Sequence, residues 1–203
     1  MNTDIILAQK LYEGGDDISA REKCLTLLDN NETASEAYLL LSQIFFDREE
    51  YTTSLKYLFE AEEKNLATIN HHYLAGLNHY ACNDFLKAKS AFEAVLTIDP
   101  KNRDGLRNLG IISKKEGNTL DAVSHFCNAL TLDPSDELIR RNLFDALQEI
   151  TGSVKWEDDS IKKLSEQIRH HVEASFNFPE FDLTRYIPVV ATVVFSSDHV
   201  LLA

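Results

Sequence analysis

The sequence repeats itself every 34 residues, and no other property restricts its fold so strongly. Asp99-Pro100 recurs as Asp133-Pro134, and the same step carries Gly76 onto Gly110, Ala88 onto Ala122 and Phe92 onto Phe126. One period earlier stand Ser42, Ser54 and Leu58, and one earlier still Ala8, Ala20 and Cys24. Large apolar positions keep the register: Leu7, Leu41, Ala75 and Leu109 align, as do Leu27, Ala61, Val95 and Ala129. Four units, 1–34, 35–68, 69–102 and 103–136, therefore abut without an insertion. A period of this length belongs to stacked supersecondary units, each too small to bury its apolar face alone.

Each unit reads as two helices. In the fourth, Leu106, Leu109 and Gly110 sit at helical spacing, Glu116-Gly117-Asn118-Thr119 is the loop, and Ala122, Phe126, Ala129 and Leu130 form the second stripe. The loop position recurs as Gly15, Glu49, Asn83 and Gly117, followed by Asp16, Glu50, Asp84 and Asn118, mostly turn and N-cap residue types. The Asp-Pro steps end the second helix, because the residue before proline disfavours the α region. Asn31 and Asn65 occupy the corresponding place in the earlier units, and Asn also ends helices. Ala8, Ser42, Gly76 and Gly110 fall where the second helix must come close, with Ala20, Ser54, Ala88 and Ala122 as their counterparts. A bulky side chain there would cost about 1–3 kcal/mol of overpacking strain.

These units resemble tetratricopeptide repeats: a length of 34, a small residue late in the first helix, Ala early in the second, an aromatic four residues later, then Ala-Leu and a terminal Pro. Residues 122–134 fit almost every signature slot, the third unit fits nearly as well, and the first two are degenerate. The usual first-helix Trp slot holds Asp4, Tyr38, His72 and Leu106 instead. The resemblance covers about two-thirds of the chain. It implies an all-α fold, a right-handed superhelix of antiparallel helical hairpins, and a protein-binding role.

Composition excludes several other roles. The formal net charge is −13, whereas a nucleic-acid binder or a ligand of anionic membranes needs a basic face, so neither partner is expected. Hydrophobic residues at 44% with only 7 Gly and 4 Pro suit a folded helical chain. Cys24, Cys82 and Cys127 are widely separated and form neither a disulfide framework nor a zinc spacing. The N-terminus has no basic region before an apolar run, and no apolar stretch reaches membrane-spanning length; a cytoplasmic protein is the expectation. His71-His72 with His79, and His170-His171, lack a second cluster at ligand spacing, and phosphate-loop, nucleophile-elbow and zinc-protease motifs are absent. No catalytic residue, metal or cofactor is expected.

In such a superhelix the first helix of each unit lines the concave face. Helical spacing from the small packing residue puts Ile5, Gln9 and Tyr12 inward in the first unit, then Leu39, Gln43 and Phe46, then Tyr73, Leu77 and Tyr80. The fourth unit presents Arg107, Ile111, Lys114 and Lys115, with Arg141 beyond. A groove that is aromatic at one end and basic at the other suits a peptide or partner helix carrying apolar anchors and a carboxylate. The family's chaperone-tail binders use a Lys/Asn/Arg clamp at these slots; only Arg107 resembles it, which disfavours that ligand.

Beyond the repeats, 137–151 reads as a helix with Leu138, Leu143, Leu147 and Ile150 apolar, ended by Gly152. Phe144 stands where the small residue belongs, so a regular fifth hairpin is not expected. A second amphipathic helix with Ile161, Leu164, Ile168 and Val172 completes an irregular cap over 137–175. Residues 176–203 read as an extended loop, then strand, turn and strand, a β-like tail suited to pairing with another copy, with the array, or with a further domain. The leading expectation is a protein–protein interaction scaffold. The alternatives are an N-terminal accessory region of a larger transferase-type enzyme and a self-assembling element that forms a homo-oligomer through the tail.

Overall fold

The computed structural model describes residues 3–152, apart from 31 and 134. The expected helix at 157–175 and the β-like tail lie outside the described residues. Nine helices form among the described residues: α1 (Thr3–Glu13), α2 (Asp17–Leu27), α3 (Ala34–Asp47), α4 (Tyr51–Glu63), α5 (Ile69–Ala81), α6 (Phe85–Ile98), α7 (Arg103–Lys115), α8 (Thr119–Leu132) and α9 (Glu137–Gly152). They divide into two compact units. Met1–Pro100 holds α1 to α6, and the unit from Lys101 holds α7 to α9.

The loops form because the chain supplies one residue per hairpin that can turn left-handed. Gly15, Glu49, Asn83 and Gly117, spaced by 34, have φ of 82°, 61°, 59° and 80°. In each, the next residue's N–H reaches back to a carbonyl of the first helix: Asp16 to Leu11, Glu50 to Phe45, Asp84 to His79 and Asn118 to Ser113, at 2.8–2.9 Å. This is the Schellman closure, which satisfies carbonyls that the helix end leaves open. Asn65, with φ 57°, ends α4 in the same way through Leu66 N–H to Ala61 O. The following residue then starts the second helix; Asp16 and Asp84 accept from the amides of Ser19 and Lys87, while Glu50 and Asn118 make no side-chain cap. Asp99 ends α6 and Asp133 ends α8, both in extended conformation, as the residue before proline should be.

Within each hairpin the small residues are buried at the crossing, and their neighbours complete the fit. A Cβ on Gly76 would lie 2.6 Å from the Phe92 ring, and one on Gly110 2.5 Å from the Phe126 ring. Both rings are fully buried. The α3–α4 hairpin replaces the Gly/Phe pair by Ser42 and Leu58, and α1–α2 replaces it by Ala8 and Cys24. Where the first helix carries more than glycine, the second carries less than phenylalanine. Ser54 Oγ donates to the Ser42 carbonyl at 2.7 Å, and Ser42 Oγ to the Tyr38 carbonyl at 2.7 Å, so the polar pair is satisfied inside the core. Cys24 lies in a cluster with Ile5, Ala8, Leu27, Ala37, Leu41 and Phe45, and burial pushes its thiol up to about 11.

Two expectations change. Leu7 shares the register of Leu41 and Leu109, yet it is 47% exposed while they are buried. Leu41 stands on a helix that packs against the α2 before it, and no described helix precedes α1 to cover Leu7. In α9 the buried stripe is Ile139, Leu143 and Ala146, whereas Leu138 is 51% exposed. Asp136 caps α9 by accepting from the Ile139 amide at 3.0 Å, which starts the helix so that Ile139 faces α8.

Candidate partner-binding faces

In the unit containing α1 to α6, the first helices of successive hairpins touch, α1 with α3 and α3 with α5. Tyr12, Leu39, Gln43, Phe46, Tyr73, Leu77 and Tyr80 all lie half-buried on them. Tyr12, Phe46 and Tyr80 occupy the same place in three consecutive hairpins. Phe46 and Tyr80 are steadied by the first residue of the following helix: Phe46 lies 5.6 Å from Tyr51 and Tyr80 5.6 Å from Phe85, centroid to centroid. Tyr73 meets the edge of Phe92 at 5.7 Å and so ties the face to the hairpin core. Such propped aromatic rings lose little side-chain freedom on contacting a partner.

One residue of this face escaped the sequence reading. Asp47, at the end of α3, accepts from the Tyr12 hydroxyl and from Gln43 Nε2, the latter at 2.8 Å, joining the first two hairpins. Burial raises the Tyr12 phenol above its ordinary range, and the bond to Asp47 raises it further. The signal for Asp47 was a carboxylate four residues after Gln43, which becomes informative only once Tyr12 is known to face it. Ile5 was expected on this face; the fold buries it in the core beside Ala8 and Cys24, because it lies one turn before the small residue on the hairpin side. Gln9 is exposed and donates to Glu13 at 3.3 Å.

The second unit carries a different chemistry on the equivalent helix. Arg107 is half-buried and pairs with Asp104 at 3.1 Å. Ile111 and Lys114 line a cavity of about 420 Å³ between α7 and α9, together with Lys115, Asn142 and Glu149, over the Phe126 ring. Arg103 bonds Asp133 at 2.9 Å and reaches Asp136 at 3.6 Å, tying the start of α7 to the α8–α9 connection. Arg141 is exposed. Asn142 and Glu149 were not singled out from sequence, because α9 shows its cavity-facing side only once it is docked on α7 and α8.

Among the described residues, no group of three or more His, Cys, Asp or Glu could hold a metal ion, and no helix is long and apolar enough to cross a membrane. His71 is buried as a structural link: its Nδ1 accepts from the Thr68 amide at 3.1 Å, and its Nε2 lies 3.1 Å from the Ser35 carbonyl. Ser35 Oγ in turn donates to the Leu66 carbonyl at 2.7 Å.

Hairpins of one length and one closing geometry, with ligand-sized side chains on the first helix, define a helical-hairpin repeat protein. The tetratricopeptide-repeat family model matches residues 72–102, most of α5 and all of α6, and the hairpins have the tetratricopeptide-repeat fold. The crystal structure of MamA shares its fold with a TM-score of 0.66 at 15% identity, covering 87% of this chain and 94% of that one. YrrB, described as a TPR protein with an unusual peptide-binding site, has a TM-score of 0.63 at 14% identity, covering 83% and 84%. Among curated proteins, the O-mannosyl-transferase TMTC1 of Mus musculus is 26% identical over 162 residues, which is 77% of this chain and 17% of that protein. The chain spans less than a fifth of the length of the curated relatives it matches.

Proposed function

We propose that this chain is a protein–protein interaction scaffold that holds a peptide or partner helix along its first helices. The observation that carries this reading is the half-buried aromatic placed identically in three hairpins, Tyr12, Phe46 and Tyr80, with two of the rings propped by Tyr51 and Phe85. Leu39, Tyr73 and Leu77 extend that face with apolar anchor sites, and Gln43 adds a polar one. In the second unit, Arg107, Ile111 and Lys114 offer a basic and apolar surface suited to an acidic segment. Leu77→Glu and Lys114→Glu alter these faces at half-exposed positions. Affinity capture with mass spectrometry should lose the same set of partners in one or both variants; full retention in both sinks this assignment.

A second reading rests on the match to TMTC1: the repeats serve as the accessory region of a larger transferase, presenting substrate protein to a catalytic domain elsewhere in the polypeptide. The coding sequence around this segment decides it. An adjoining catalytic domain supports that role, and an isolated reading frame of repeats removes it.

A further inference from the structure

A second surface on the first unit has a chemistry of its own. Between α4 and α5 lies a depression of about 260 Å³, on a different stripe of α5 from Tyr73, Leu77 and Tyr80. Leu55 and Ala75 contribute apolar wall, Phe59 and Glu62 stand on the α4 side, and His72 and His79 on the α5 side. Phe59 is 60% exposed, unusual for a ring of this size. Among the described residues, Glu62 is the only carboxylate lining the depression, and it is exposed with no side-chain partner there.

We propose that this depression is a binding site for a basic side chain, arginine above all, of a partner polypeptide. An aromatic face, a free carboxylate and an apolar wall are the three features a guanidinium on a methylene stem can use together. The cation stacks on Phe59, its N–H groups donate to Glu62, and the stem covers Leu55 and Ala75. The chain's net charge of −13 draws such a partner in. Histidines beside a cation site would oppose binding if charged. Burial holds His79 below the ordinary histidine range, although Asp84 pulls it up and Lys87 pushes it further down. His71, in the wall, is likewise held down by burial and by His72, against the Ser35 carbonyl and Glu36. A neutral imidazole does not repel a cation, and that of His79 can offer it an acceptor nitrogen. This site is independent of the first-helix face.

The test is an NMR titration of the ¹⁵N-labelled full chain with the peptide Ac-Gly-Arg-Gly-NH₂ at pH 7.5, beside its Leu and Glu counterparts. Saturable shifts at Phe59, Glu62, Ala75 and His79 are expected with the Arg peptide and not with the Glu peptide. Phe59→Ala and Glu62→Gln, both at exposed positions, should each weaken binding by about fivefold or more. Lowering the pH to 5.5 should weaken it in the native chain, and Leu86→Ser, at an exposed position outside the depression, should leave it unchanged. Equal binding of the Leu peptide would make this an apolar hollow and overturn the proposal. So would an unchanged affinity in Glu62→Gln, or the absence of any saturable shift.

Discussion

The α1–α2 and α7–α8 hairpins solve the same crossing with different distributions of volume. In α7–α8 the first helix offers nothing, Gly110, and the second fills the space with the whole Phe126 ring; in α1–α2 Ala8 faces the much smaller Cys24. The α3–α4 hairpin sets Ser42 against Leu58, a second-helix side chain of intermediate size, and adds a hydrogen bond from Ser54 to the Ser42 carbonyl. What the repeat specifies is therefore a close approach of two backbones, and the residue types are free to change so long as both sides change together. Where less volume sits at the crossing, the neighbours supply it: Ile5, Leu27, Leu41 and Phe45 close over Cys24.

The largest test of this contrast removes the second-helix side chain in both places. Phe126→Ala should cost about 3–5 kcal/mol, whereas Cys24→Ala deletes one sulfur and should cost about 1 kcal/mol. Urea unfolding followed by residue-resolved NMR in each unit measures both, and equal losses would break the comparison. Next, Gly110→Ala should cost about 1–3 kcal/mol, because its Cβ would meet a buried ring that cannot withdraw. Adding Phe126→Leu, which imitates the α3–α4 hairpin, should recover at least half of the combined loss predicted from the single changes. Strict additivity would show that the two positions do not share one volume.

Two smaller effects concern joints and loops. His71 is neutral in the fold, with its pKa lowered by burial, so the unfolded chain takes up a proton before the folded chain does. Its contribution to stability is complete above the ordinary value of 6.5 and is lost as pH falls below it, towards the folded value. Protonation would also deprive the Thr68 amide of its acceptor. Stability of the first unit should accordingly fall between pH 7.5 and 5.5, and His71→Gln should flatten part of that slope, with His79 acting in the same direction. Smallest is the loop comparison. Glu49 holds φ 61° where Gly15 and Gly117 do so without strain, so Glu49→Gly should stabilise by about 0.5 kcal/mol, and Gly117→Glu should destabilise by about 1 kcal/mol. Thermal unfolding resolves both signs.

Much of the helical layout could be read from particular residues. The small residues, the left-turning loop positions and the Asp-Pro stops are local requirements of backbone geometry, so they leave marks at fixed spacing. The site was less legible. The face that Tyr12, Phe46 and Tyr80 share follows from their common register, but the partners that support them do not. Asp47 bridges two hairpins, Tyr51 and Phe85 prop their rings from the next helix, and Ile5 turned inward although its spacing pointed to the groove. Each outcome depends on which neighbouring helix arrives to cover a side chain.

The sequence by itself determined the period, the two-helix unit and the crossings, because steric exclusion at a turn or close contact acts within a few residues. Only the tertiary structure decided which half-apolar side chains stay open, that Leu7 and Leu138 remain exposed, and that Phe59 and Glu62 flank a common depression. Burial is a property of what packs against a residue, and helical spacing assigns a side chain to a face without saying what will cover it.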